Sequence, residues 1–145
     1  MPDDDPPDAA LAERCRTEIE ALHDIFEAWL GGTRPNTDTA FARIRKALAP
    51  TFQLIHPEGR WMARSDILGG LRDNHGGQPD LTIDIRNVQV LDAGDALVVA
   101  AYEEWQETPD ATDARQSTVV FRRDPEAPNG LRWHHVHETW MRPPS

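Results

Sequence analysis

Apolar residues recur at spacings of three and four along the first stretch of the chain: Leu11, Cys15, Ile19, Leu22, Phe26, Trp29 and Leu30. Glu13, Arg14, Glu18, Glu20 and Glu27 fill positions between them. This spacing predicts an amphipathic helix of about five turns with one buried face. Gly31-Gly32 and then Pro35 end it. Asp38 or Thr39 is expected to cap a second, shorter helix that buries Phe41, Ile44 and Leu48 and stops at Pro50. The period then changes. Thr51–His56 reads as a short strand, Pro57-Glu58-Gly59 as a turn, and Arg60–Ala63 as the partner strand. Ser65 is expected to cap a third helix carrying Ile67, Leu68 and Leu71. Gly69 and Gly70 inside that helix suggest close approach of another backbone, since each weakens it by about 1 kcal/mol. Asn74–Pro79 is a loop.

The remainder alternates between strands and turns. Leu81–Leu91, Ala96–Glu107, Gln116–Arg123 and Leu131–Met141 read as four long strands, and their short connectors predict antiparallel neighbours. In the first, Leu81, Ile83 and Ile85 are odd-numbered whereas Val88 and Val90 are even-numbered. The apolar face therefore switches near Arg86-Asn87, the signature of a β-bulge that bends the strand. Helices first and a bent antiparallel sheet afterwards give an α+β class, with three N-terminal helices packed into the concave face of a strongly bent sheet.

Composition narrows this further. A chain of 145 residues with 39% hydrophobic residues, five of them Trp, suits one domain with a real core. The expected organisation is a disordered acidic, Pro-rich tail over 1–8 and a single domain over 9–142. The net charge of −10 and the lack of a basic run argue against nucleic acid and against anionic membrane surfaces. No apolar run approaches the ~20 residues that span a bilayer, and the acidic start is unlike a signal peptide. Cys15 is the only cysteine, which excludes an internal disulfide and fits a cytoplasmic protein. Its place in the apolar stripe makes it core. Nothing in the sequence calls for a cofactor.

The order of elements resembles that of nuclear transport factor 2-like domains. Phe52–Gly59 (FQLIHPEG), followed by a hairpin and helix, is similar to the opening region of SnoaL-like members. Leu131–Trp140 (LRWHHVHETW) is similar to the closing strand of SnoaL-like and calcium/calmodulin-dependent kinase association domains. The resemblance implies a cystatin-like cone with a pocket between helices and sheet, and a homodimer through the outer sheet face. It covers enzymes and non-catalytic domains alike, so it implies no single chemistry.

Strand parity groups the candidate residues. Trp133, His135, His137 and Thr139 share one face of the last strand; His134, Val136, Glu138 and Trp140 share the other. The kinase-association-domain resemblance implies that the Glu138 face looks into the cone. On the preceding long strand Leu97, Val99, Ala101, Glu103 and Trp105 form the more apolar face, so Glu103 is expected inside as well. Glu138 and Glu103 would then be a pair of desolvated acids able to divide acid and base roles. His56, Trp61, Trp105, His134, Val136 and Trp140 would line the pocket around them, with His56 and Trp61 at its mouth. The structural alternative is that each acid is held in an ion pair by Arg115, Arg122, Arg123 or Arg132. His135 and His137, ~7 Å apart on one face, offer two imidazoles to a metal but lack a following carboxylate, and no metal site is assigned. His23 beside Asp24 diverges by about 100° on its helix, which makes a designed dyad there a poor reading. No Ser-centred elbow, phosphate-binding Gly loop or dinucleotide fingerprint is present.

The expected function is therefore a pocket for a small apolar or cyclic molecule. It allows cofactor-independent isomerase, dehydratase or hydrolase chemistry on carboxylates. The competing expectation is a non-catalytic dimerisation domain whose cone is filled by Trp105, Phe121 and Trp140.

Overall fold

A computed structural model of the chain describes residues 8–144. The acidic segment read as a tail lies outside the described residues except for Asp8, where the first helix begins. The order is α1 (Asp8–Gly31), α2 (Asp38–Ala47), β1 (Leu48–Ile55), β2 (Trp61–Ala63), α3 (Arg64–Asp73), β3 (Thr82–Ala93), β4 (Leu97–Glu107), β5 (Thr112–Arg123) and β6 (Leu131–Arg142). A single 3-10 turn, Pro128–Gly130, precedes β6.

The six strands form one sheet in the order β2-β1-β6-β5-β4-β3. The last four strands pair antiparallel with their chain neighbours, as their short connectors require. β1 instead pairs parallel with β6, which is permitted because most of the chain separates them. Helix α1 lays Leu11, Cys15, Ile19 and Leu22 against Val98, Ala100, Val119, Phe121 and Trp133 of the sheet. Burial pushes the Cys15 thiol up to about 11, so it stays a protonated core group. Trp29, Phe41 and Ile44 form a second cluster between α1 and α2, where the Trp29 indole donates to the Leu71 carbonyl at 2.6 Å.

Several boundaries differ from the sequence pattern, each for a local reason. Thr37 caps α2, its hydroxyl accepting from the Ala40 amide at 3.1 Å, in place of Asp38 or Thr39. Leu48 opens β1 rather than closing α2, and Pro50 lies inside that strand. The β1–β6 register is irregular between Leu48 and Gln53, which accommodates a residue without an amide hydrogen. Ala63 rather than Ser65 precedes α3, where the Asp66 carboxylate accepts from the Ala63 amide at 3.0 Å. β5 begins four residues before Gln116, at Thr112.

No backbone crowds Gly69 or Gly70: a Cβ on either would meet nothing within 4 Å. The close glycine approach is elsewhere. A Cβ on Gly32 would sit 3.2 Å from the Gly76 Cα, and both residues have positive φ.

The expected bulge is present in β3. Its register to β4 shifts between Arg86 and Gln89, and Asn87 adopts φ 56°. A second bulge decides the site. In the β5–β6 pair Phe121 opposes Trp133 and Val120 opposes His135, so His134 is the extra residue.

Candidate functional site

The concave side of the sheet and helices α1 and α3 enclose an open cavity of about 470 Å³, within the range of small-molecule sites. Its walls are mostly apolar, among them Leu22, Phe26, Phe52, Ile67 and Trp133. Its floor is an ionisable group built from one helix and three strands. His23 comes from α1; Tyr102 and Glu104 come from β4, Arg115 from β5 and Glu138 from β6.

The registers explain the grouping. Tyr102, Ser117 and Glu138 occupy one row across β4, β5 and β6. Glu104 and Arg115 occupy the next. His23 reaches this floor because it follows Ile19 by one turn on the buried stripe. Its Nδ1–H donates to the Ile19 carbonyl at 2.8 Å, and its Nε2 lies 3.2 Å from Glu104 Oε1. Burial opposes the charge on His23, but the Glu104 carboxylate outweighs it and raises the imidazole above its ordinary value. Burial likewise works against ionised Glu104, yet His23 and Arg115 hold it down at about 2. The charged form of each favours the charged form of the other.

Glu138 is in the opposite state. Only 6% of it is exposed, and burial followed by the Glu104 charge raises its carboxyl to about 7. Arg115 donates from Nη1 to Glu138 Oε1 at 3.3 Å and from Nη2 to Asp113 at 3.2 Å. The arginine anticipated as a structural partner is therefore present, but two bonded carboxylates share it. Burial and the neighbouring carboxylates push the Tyr102 phenol well above its ordinary value, so it remains an O–H donor.

Of the residues singled out from the sequence, Glu138, Val136 and His56 line this cavity. Glu103 and Trp105 do not. β4 buries Val98, Ala100, Tyr102 and Glu104, which is the parity opposite to the one expected. The convex face of the sheet is half-buried and apolar, while the concave face carries the polar floor, so hydrophobicity alone misassigns the strand. On the convex face Glu103 accepts from the Trp105 indole at 3.0 Å and from Asn87 at 2.7 Å. These bonds keep its carboxyl below the ordinary range. Arg86 lies 4.3 Å over the Trp105 ring.

Trp61 is 60% exposed and lies against His135 on that side, with ring centroids 5.9 Å apart. His134 sits at the bulge rather than in the pocket, its Nδ1 buried without a partner among the described residues. Because of that bulge Trp133 turns inward with Val136 and Glu138, contrary to strict alternation. Trp140 stops outside the lining. It lies 5.9 Å from His56 and under the Arg115 guanidinium at 4.9 Å. The cone is thus not plugged by tryptophan: Trp105 points away, and Phe121 packs against Trp133 in the core. No cluster of three His, Cys, Asp or Glu side chains suited to a metal occurs among the described residues.

The sequence reading missed His23, Glu104, Tyr102 and Arg115 as a group. His23 had a visible signal, a histidine four residues after Ile19 and three before Phe26. Glu18, one of the polar residues between the apolar positions of α1, is fully buried. Its carboxylate accepts from the Trp133 indole at 2.9 Å, from Arg43 at 3.1 Å and from Asn129 at 3.0 Å.

Helices packed on a curved, unclosed sheet around such a cavity define a nuclear transport factor 2-like, cystatin-like domain. A protein of that class and of unknown function from Pseudomonas aeruginosa superposes with a TM-score of 0.79 at 29% identity, over 88% of this chain and 98% of its own. The S. rosetta CaMKII hub superposes with a TM-score of 0.64 at 16% identity, over 92% and 96%. Within this class, the chain belongs to the sucrose-6-phosphate phosphohydrolase C-terminal family, whose model matches residues 16–142. Sucrose-phosphatase 1 of Nicotiana tabacum is 24% identical over 127 residues, 86% of this chain. The chain spans about 30% of the length of that curated relative. No described helix is long and apolar enough to cross a membrane.

Proposed function

We propose that this domain binds a small, largely apolar molecule in its cone, with Glu138 as the polar anchor. The observation that carries this reading is a carboxyl 6% exposed on the floor of an open 470 Å³ cavity, its protonation balanced at about 7. A group so placed can give or take a proton at neutral pH, the requirement for general acid/base work in an isomerase, dehydratase or hydrolase. Ionised Glu104 would hold His23 and Arg115 in position beside it. The family's name joins it to sucrose 6-phosphate, but the floor opposes a phosphate ligand. Glu104, Asp113 and Glu138 would repel a dianion approaching Arg115. Phosphate-ester hydrolysis is therefore not proposed for this domain.

The test is a fragment screen by ligand-observed NMR on the full chain, repeated on Glu138→Gln and on Ile67→Trp, which narrows the cavity. Hits lost or weakened in both folded variants support the pocket. A blank screen, or hits indifferent to both changes, overturns it.

A second reading has its own observation. On the convex face Val99, Val120 and His135 form one row, with 40% exposed Leu97 and 60% exposed Trp61 on the same side. An apolar sheet face of this kind suits a homodimer, which would make the domain an association module with or without a ligand. Sedimentation of the wild type at micromolar concentration decides it: a dimer supports this reading and a monomer overturns it.

A further inference from the structure

We propose that the ligand of this cavity is an organic cation, a protonated amine carried on an apolar or aromatic body; this rests on the pocket reading above. The charge count of the floor carries the inference. Glu104 and Glu138 on the floor, together with Asp113, which bonds Arg115 from outside the cavity lining, set three carboxylates against two cations, His23 and Arg115. Glu104 is satisfied by His23 at 3.2 Å and by the Gln106 amide at 2.6 Å. Arg115 is divided between Asp113 at 3.2 Å and Glu138 at 3.3 Å. One negative charge is left in excess when every carboxyl is ionised, and it falls on Glu138. Oε1 of that residue takes the one arginine bond, and Oε2 accepts no hydrogen bond from the described residues.

The other groups around the cavity do not supply the missing charge. Asp66 adds a further carboxylate at the mouth. His56, also there, is held below its ordinary value by burial and then by Arg60 and Arg115, so it is neutral at physiological pH. A buried carboxylate without a counter-ion takes up either a proton or a cation. An ammonium group has three N–H donors. One reaches Glu138 Oε2, and the Tyr102 hydroxyl oxygen is a second acceptor on the same floor. Phe26, Phe52 and Trp133 in the walls are aromatic rings, a class of side chain that attracts a cation over a neutral head. An anion would meet Glu138 and Glu104 together and is disfavoured by the same count.

The test uses three probes of one skeleton on the full chain: 2-phenylethylamine, 2-phenylethanol and 3-phenylpropanoate, followed by calorimetry at about pH 6 and pH 8. The expected result is that the amine binds about tenfold tighter than the alcohol at the higher pH, the scale of one close charge pair. That preference shrinks at the lower pH as Glu138 takes up its proton, and Glu138→Gln abolishes it. The wild-type pH profile tests the assignment even if the variant folds poorly. An amine no tighter than the alcohol, or a tighter carboxylate, overturns the cation and leaves the pocket standing. If none of the three binds, the assignment fails, and a blank fragment screen alongside removes the pocket reading too.

Discussion

Replacing Glu138 with Gln removes one titration while keeping the shape of the side chain, and its effect on stability can be worked out with its sign. The folded carboxyl titrates at about 7 against an ordinary 4.5. Between those values the folded chain retains a proton that the unfolded chain has released. The unfolded state binds fewer protons there, so this group lowers stability as pH rises. Its favourable contribution is complete below 4.5 and is lost as pH climbs through about 7. The gap corresponds to about 3 kcal/mol, set by desolvation and by Glu104 and only partly offset by Arg115. The neutral glutamine amide carries no such dependence. Urea unfolding of both proteins from about pH 4.5 to 8.5 should therefore show the variant gaining on the wild type by about 3 kcal/mol across that interval. Glu104, held at about 2, protonates below the interval and affects both proteins alike. Parallel stability profiles would show that Glu138 ionises normally and would refute the charge count drawn for the floor.

Glu104→Gln should cost about 3–5 kcal/mol at pH 6, because it leaves protonated His23 buried without its 3.2 Å partner; chemical denaturation reads this directly, and a loss below about 1 kcal/mol would show that the pair is not closed. Trp133→Phe removes the indole bond to Glu18 and should destabilise by about 1–3 kcal/mol, while Thr37→Ser should leave the melting temperature nearly unchanged because the α2 cap is kept. Asn87→Val forces a β-branched residue into φ 56° and also removes the amide bond to Glu103, for a combined loss of about 2 kcal/mol or more by thermal or urea melting. Val120→Glu places a charge in the convex row and should convert a dimer to monomers by sedimentation without weakening ligand binding in the cone, since that side chain faces away from the cavity.

Local pattern was enough for much of this molecule. The three-and-four spacing of Leu11 to Leu30 produced α1, and the parity switch at Arg86-Asn87 located the bulge that bends β3. Each of these is a short-range consequence of backbone period and side-chain polarity, which can be read within one element. Glu138 stands out as a carboxylate between Val136 and Trp140 on its own strand, but it was the resemblance to kinase association domains, not the pattern, that pointed its face inward. Which face of β4 looks inward was a different kind of question. Its two faces differ little in hydrophobicity, and only the packing of α1 against Val98, Ala100 and Tyr102 chose between them. That choice replaced Glu103 with Glu104 and brought His23, from the far end of the chain, within 3.2 Å of it. The bulge at His134 turned Trp133 into the cavity by shifting one residue against β5, a register that no single strand encodes. Charge obeys the same division. Composition established that the chain is acidic, but the value of about 7 on Glu138 exists only because folding removes water from it and sets Glu104, Arg115 and His23 around it.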